Sequence, residues 1–303
     1  MTYQNQLFFI HCLSPVHVGA GQGIGIIDMP IIRERVTEWP YVPGSTSKGV
    51  FREKKRREND EEWVKSAFGV RLDATNEEQK GNAGALVFSD AKMLAFPVAS
   101  GSGVFAYATC PLALERMQQE CAALGLTVPH IVGLEQLTEE EAWVAHDNTS
   151  VLPGSFNSDK IVLEQFEFEV GRKEAVSVLA KWLTEHLKGT EQASPVIEQR
   201  LCIVSNEAFQ YFVTMCCEIE PRIRLQEETK TAAEGALWHE EYIPAEAILY
   251  GTLWGDQIYR ANAETSTEEL LQKMRGVHTV QIGGNVSVGK GLVKYHMGGA
   301  IRT

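Results

Sequence analysis

Apolar positions along this chain repeat with two periods. Residues 6–13, Gln-Leu-Phe-Phe-Ile-His-Cys-Leu, form an aromatic and aliphatic run closed by Ser14-Pro15, which predicts a first strand. Two further apolar runs, 85–96 and 104–110, flank a Ser-Gly turn at 100–103 and predict a strand pair. Pro111 then suits a first helical position, Leu114, Met117, Cys121 and Leu124 recur at helical steps, and Gly125 marks the stop. Residues 126–160 show weaker periodicity and read as mostly irregular.

Phe166, Phe168 and Val170 alternate with Glu167 and Glu169, the period of a strand with one wet face. A helix is expected from about 173 to 188, a strand at 200–204, a helix capped by Ser205 or Asn206, and a strand at 219–225. From 222 to 250 the pattern becomes polar and alternating around Ala and Gly, which predicts a long projecting hairpin and then a strand at 247–254. Ser266 with Glu269 forms a capping box for a helix ending near Gly276. A strand at 277–282, a glycine-rich turn from Gly283 to Gly291 and a strand at 292–296 complete the chain. Near the start, Gly19-Ala-Gly-Gln-Gly-Ile-Gly25 opens a loop leading to Asp28 and Pro30, and a short helix is expected to begin at Ser45 or Thr46. An acidic segment follows it, with a surface loop expected near 73–84. No linker divides the 303 residues, so the pattern predicts one elaborated α+β domain.

A hydrophobic share of 44% and a charged share of 22% fit a globular protein, and no apolar run approaches the roughly 18 residues of a membrane span. The first residues lack the pattern of a secretion signal, so a cytoplasmic chain is expected. The six cysteines lie at neither zinc-site nor disulfide-frame spacing and are expected to be reduced, mostly buried thiols. The net charge of −12 argues against a nucleic-acid binder, but from Arg33 to Arg57 eight Lys/Arg face three acids, a local excess of five. The tetrad Lys54, Lys55, Arg56 and Arg57 reads equally well as a solvated helix face.

Two phosphate-binding fingerprints fail on specific residues. The loop at 19–25 lacks the third glycine of a dinucleotide turn, since Ile24 or Ile26 stands there. Gly284-Asn-Val-Ser-Val-Gly-Lys290-Gly291 fits a P-loop except that Gly291 replaces the magnesium-binding Ser or Thr. The remaining ionisable candidates, His17, Asp28, Glu240 and Tyr242, do not assemble into a site by spacing alone.

Taken together, the segments 17–31, 43–49, 85–91, 105–111, 230–242 and 281–292 resemble, in order, the RAMP superfamily of CRISPR proteins. Within it they are similar to the repeated backbone subunit of the type III-B Cmr effector complex. The resemblance implies a modified RRM-like, ferredoxin-like palm with helical insertions and a protruding β-hairpin thumb over 222–242. It implies copies stacked along a CRISPR guide RNA beside other Cmr-type subunits, with complementary single-stranded target RNA cleaved by divalent-metal chemistry (magnesium or manganese). The family aspartate corresponds to Asp28, which could hold the metal or accept a ribose 2′-hydroxyl proton. His17, Glu240 and Tyr242 correspond to further site residues. Ser45, Thr46, Lys48 and Arg52, with Gly283, Gly284, Asn285 and Lys290, are the implied RNA contacts. Ser47 stands where the family usually has leucine, which puts the packing of that helix in question. Two other readings remain open: a non-catalytic guide scaffold, and a metal-independent guide-processing nuclease using His17.

Overall fold

A computed structural model describes residues 5–298, apart from 22, 24, 59–60, 71–80, 147–148, 153–158, 189–195, 227, 230 and 260–264, and the side chains of 232–235. In chain order the elements are β1 (Asn5–Cys12), β2 (Tyr41–Val42), α1 (Gly44–Arg57), α2 (Glu61–Phe68), β3 (Gly69–Val70), β4 (Asn82–Ala83), β5 (Leu86–Phe88), β6 (Ala91–Ala99) and β7 (Phe105–Thr109). Next come α3 (Pro111–Ala123), β8 (Glu141–Ala145), β9 (Lys160–Leu163), β10 (Phe166–Lys173), α4 (Glu174–Leu187), α5 (Val196–Arg200), β11 (Leu201–Ile203) and α6 (Asn206–Met215). The last are β12 (Glu218–Leu225), β13 (Ala232–Tyr242), β14 (Ile248–Gly255), α7 (Thr267–Gln272), β15 (Gly276–Gln281) and β16 (Leu292–Met297).

The α+β class expected from the sequence holds, around a mixed twelve-stranded sheet of order β15-β16-β1-β14-β6-β7-β11-β8-β10-β9, with β2 against β6 and β5 against β14. That is wider than a four-stranded RRM-type sheet. The far strand closes back on the middle of the sheet: Ser100 bridges Leu163, and the Gly101 amide donates to the Val162 carbonyl at 3.0 Å.

Strand β1 is buried on both sides, which is why its sequence is a continuous apolar run. Phe8, Ile10 and Cys12 face a core shared with Phe51 of α1, Trp63 of α2, Phe209 and Phe212 of α6 and Leu270 of α7. Leu7 and Phe9 face the other, with Leu114 and Met117 of α3 and Leu179 and Leu183 of α4. Helices therefore cover both faces of the sheet. All six cysteines are free thiols, five buried and Cys216 half-buried.

Several boundaries differ from the sequence expectation. The stretch 126–160 contains β8 and ends on the first residue of β9; four of the five β8 residues are buried, which erases the alternation that marks a strand. The run 85–96 breaks at Ser89-Asp90, where Ser89 Oγ accepts from the Thr252 amide at 2.8 Å and ties the bend to β14. The acidic segment after α1 is helix α2, with Glu61 and Glu62 in its first turn. Of the expected surface loop, 73–80 lie outside the described residues and Asn82–Ala83 is a short strand on β3. The hairpin ladder starts at Glu218↔Tyr242, four residues before the expected 222.

Ser47 is fully buried, and its hydroxyl hydrogen-bonds the buried Tyr295 hydroxyl at 2.8 Å. Tyr295 packs edge-on against Phe51, 5.0 Å between centroids, so the serine answers a polar group that a leucine would leave unpaired. Ser47→Ala is expected to lower stability by about 1–3 kcal/mol, and Tyr295→Phe in the same chain to recover most of it. Denaturant unfolding of the two single variants and the double variant measures that coupling.

Candidate active site

Asp28 sits on a loop laid along β13 at the root of the β12-β13 hairpin. The Met29 amide donates to the His239 carbonyl and the Glu241 amide to the Met29 carbonyl, both at 3.0 Å. The Asp28 carboxylate is about half exposed, at 52% of its side-chain surface. Its Oδ2 accepts the His239 amide at 2.7 Å, with His239 Nδ1 3.6 Å away. Oδ1 has no hydrogen-bond partner among the described residues. The glycine-rich loop therefore ends by presenting one ligated and one open carboxylate oxygen to solvent.

Glu240 and Tyr242 point to one face of β13 and build a closed network there. Glu240 Oε2 accepts from Asn285 Nδ2 at 2.7 Å, from Arg222 Nε at 3.2 Å and from the Tyr242 hydroxyl. Its Oε1 accepts from Trp238 Nε1 at 2.8 Å. Burial alone would raise the Glu240 pKa, but the hydrogen bonds from Tyr242 and Trp238 and the nearby Arg222 charge outweigh it and hold the carboxyl below its usual range. The Tyr242 hydroxyl, buried and bonded to that carboxylate, is pushed up to about 12. Asn285 Nδ2 also reaches Tyr242 Oη at 2.9 Å, and Lys290 Nζ sits 4.6 Å over the Tyr242 ring while pairing with Glu220. Asn285 and Lys290, expected as RNA contacts, are thus engaged inside the chain.

His17 is 5% exposed, its Nδ1 donating to the Glu241 carbonyl at 2.7 Å and its ring edge-on to Tyr242 at 5.5 Å. Gly283, at φ 76°, lies so close that an added Cβ would stand 2.1 Å from the His17 carbonyl oxygen, and the Gly284 amide donates to that oxygen at 2.8 Å. The structure brings His17, Glu240, Tyr242, Gly283, Gly284, Asn285 and Lys290 together at the hairpin root. An imidazole so covered does not have the exposure expected of a metal-independent general base.

Ser45, Thr46, Lys48 and Arg52 lie apart from that network, on α1. The Gly44 amide at the helix start donates to Asp90 Oδ1 at 2.8 Å, and the Thr46 and Ser47 amides to the Pro43 carbonyl at 2.9 and 3.3 Å. A carboxylate already occupies the positive helix end. Lys54 and Lys55 pair with Glu58, and Arg56 and Arg57 with Glu53, so the basic tetrad is offset within its own helix. Lys48 and Arg52 have no carboxylate partner among the described residues; burial, then the Arg52 charge, lowers the Lys48 pKa. A cleft of about 570 Å³ runs between α1 and the C-terminal turn, lined by Val50, Lys54, Arg57, Gln281 and Val286 among others.

Among the described residues no group of three or more His, Cys, Asp or Glu converges as a metal cage. Asp28 offers one carboxylate with an open oxygen, which suits a hard cation that keeps most of its shell as water and phosphate oxygen. Sequence reasoning missed Glu241, Arg222, Trp238 and Arg33, which fasten the hairpin root. Period-two alternation across 238–242 is the signal that separates Trp238, Glu240 and Tyr242 from His239 and Glu241.

Residues 9–294 match the RAMP superfamily. The chain belongs to that superfamily. Its RAMP relatives include the CRISPR system Cmr endoribonuclease Cmr4 of Pyrococcus furiosus, 34% identical over 294 residues, 94% of this chain and 92% of the relative. The CRISPR system CMR subunit Cmr4 of Saccharolobus solfataricus is 22% identical over 321 residues, 97% of each chain. The crystal structure of oligomeric Cmr4 from Pyrococcus furiosus aligns over the whole of both chains with a TM-score of 0.73 at 27% identity. A chain of the type III-B Cmr-beta complex bound to cognate target RNA shares the fold, with a TM-score of 0.71 at 18% identity over 98% of each chain. No helix among the described residues is long and apolar enough to cross a membrane.

Proposed function

We propose that this RAMP chain is a guide-RNA-binding filament subunit of a cytoplasmic type III-B Cmr-type effector complex, and that it cleaves complementary target RNA at Asp28. The observation that carries the reading is the open Asp28 carboxylate at the hairpin root of a chain 34% identical to a relative named as an endoribonuclease. Other copies of the chain and other Cmr-type subunits are its partners, as the names of its relatives indicate for theirs. Lys48 and Arg52, which have no carboxylate partner among the described residues, supply with Ser45 and Thr46 guide phosphate contacts that read no sequence. Asn285 and Lys290, engaged with Glu240, Tyr242 and Glu220, instead hold the C-terminal turn against the hairpin root.

In this reading a ribose 2′-hydroxyl loses its proton to Asp28, its oxygen bonds to the adjacent phosphorus, and the 5′-oxygen departs. The His239 amide holds Asp28 Oδ2, which leaves Oδ1 facing the RNA. The alternative role for the same oxygen is to hold a magnesium or manganese ion, which would stabilise charge on the phosphate in place of taking the proton. Glu240, Tyr242 and His17 act by fixing the hairpin root, since none of the three is exposed above 5%.

The test uses the assembled complex with guide and a target carrying a single 2′-deoxyribose at the cleaved position. Binding is expected to match that of the all-ribose target, with cleavage at that position abolished. Continued cutting there would remove the 2′-hydroxyl from the mechanism and with it the role given to Asp28.

A further inference from the structure

Glu241 is adjacent to Glu240 in sequence, yet it belongs to a different set of contacts. It is 4% exposed, and its carboxylate is divided between two partners. Oε1 accepts from Arg33 Nη2 at 2.5 Å, and Oε2 accepts the Ile31 amide at 3.0 Å. Its own amide donates to the Met29 carbonyl, and its carbonyl accepts from His17 Nδ1. One residue of the hairpin strand therefore grips the chain at Met29 and Ile31, immediately after Asp28, and also holds His17. Arg33, the charge partner, is anchored in turn to the Val213 carbonyl at 3.0 Å and the Glu38 carbonyl at 2.7 Å.

We propose that Glu241 is a positioning residue for RNA cleavage, transmitting the placement of the hairpin to the Asp28 carboxylate through Ile31 and Arg33. The proposal rests on the reading that Asp28 cuts RNA. Two backbone hydrogen bonds already align the Asp28 loop with β13, but both fall at Met29. Pro30 and Ile32 are bonded to Ala20 and Val18 of the loop's own first arm, so without the Glu241 carboxylate the two arms lose their side-chain tether to β13 and shift together about Met29. A displacement of about 1 Å at a reacting group costs on the order of 100-fold in rate.

The experiment measures single-turnover target cleavage and target affinity in assembled complexes carrying Asp28→Ala, Glu241→Ala, Glu241→Gln, Glu241→Asp and the Asp28→Ala/Glu241→Ala pair. Glu241→Ala is expected to slow cleavage about 10- to 100-fold with target affinity unchanged. Glu241→Gln, which still accepts the Ile31 amide, should recover most of the rate. Glu241→Asp keeps the charge but cannot span Arg33 and Ile31 together, so it should remain about 10-fold slow. The deciding readout is the pair: a residue that acts through Asp28 adds nothing once Asp28 is gone, so the pair should cleave no more slowly than Asp28→Ala alone.

Wild-type cleavage by both Glu241→Ala and Glu241→Asp, with Asp28→Ala inactive, would overturn the proposal and leave the Asp28 reading standing. So would a pair slower than Asp28→Ala by the full factor of the single change. Wild-type cleavage by Asp28→Ala removes the underlying reading instead. Should Glu241→Ala fail to assemble, the contrast between Gln and Asp decides, and equal rates for those two count against the proposal.

Discussion

Asp28→Ala is expected to leave the assembled complex able to bind guide and complementary target, and to reduce target cleavage by at least about 100-fold, the lower range of what a positioned acid or base contributes. The expectation follows from how little else the carboxylate does. It is half exposed, accepts one amide hydrogen bond and approaches one imidazole, so its removal creates no cavity in either core. Asp28→Asn sharpens the result, because its amide oxygen can still accept the His239 N–H while the negative charge is lost. Equal loss of cleavage in both variants assigns the effect to charge; survival of activity in Asn alone assigns it to the loop geometry. Single-turnover cleavage of labelled target beside a filter-binding titration separates these outcomes. Unchanged cleavage in Asp28→Ala would favour a scaffold that holds the guide without cutting.

Stability is expected to fall steeply as the pH drops from about 6.5 towards 4, and His296 is the main cause. It is 4% exposed on β16, and neither ring nitrogen has a hydrogen-bond partner among the described residues. Burial first, then the nearby His11 and Lys294, lowers its pKa to about 4 from 6.5. The unfolded chain therefore binds the proton first. Stability is complete above about pH 6.5 and is lost as the pH falls to the folded value, by about 3 kcal/mol at roughly 1.4 kcal/mol per unit. His278, lowered chiefly by its own burial, adds a contribution of the same sign. Thermal unfolding from pH 7.5 to 4.5 should show the midpoint falling, and His296→Leu should flatten most of that slope. A His296→Leu slope equal to that of the parent chain would place the acid sensitivity elsewhere. Carboxylates held low by partners, such as Glu246 beside His11, lose their contribution only below about pH 4.5 and fall outside this window.

The sequence reading succeeded where one residue settles a local choice. Ser205 caps α6 by accepting the Ala208 amide, and Ser266 with Glu269 closes the capping box of α7, as their spacing indicated. It failed at β8, because a five-residue strand buried on nearly every side chain carries no period. The site divides in the same way. The hairpin was legible from ordered segments, and the structure lays Asp28 along its root, but the occupant of the α1 start was not legible, since Asp90 comes from a bend 46 residues away. Ser47 looked like a packing loss only because its partner, Tyr295, enters from the far end of the chain.

The return of β9 onto the end of β6 also bears on how this chain behaves in company. Closing that side leaves β15 as the terminal strand of the main sheet order, with β2 and β5 as two short flanking strands. An uncovered strand edge invites indiscriminate pairing with any extended chain nearby. A subunit proposed to line up in many copies along one RNA is better served when contact is confined to intended surfaces, and a sheet that seals one of its own edges removes the commonest route to tangled, unproductive stacking.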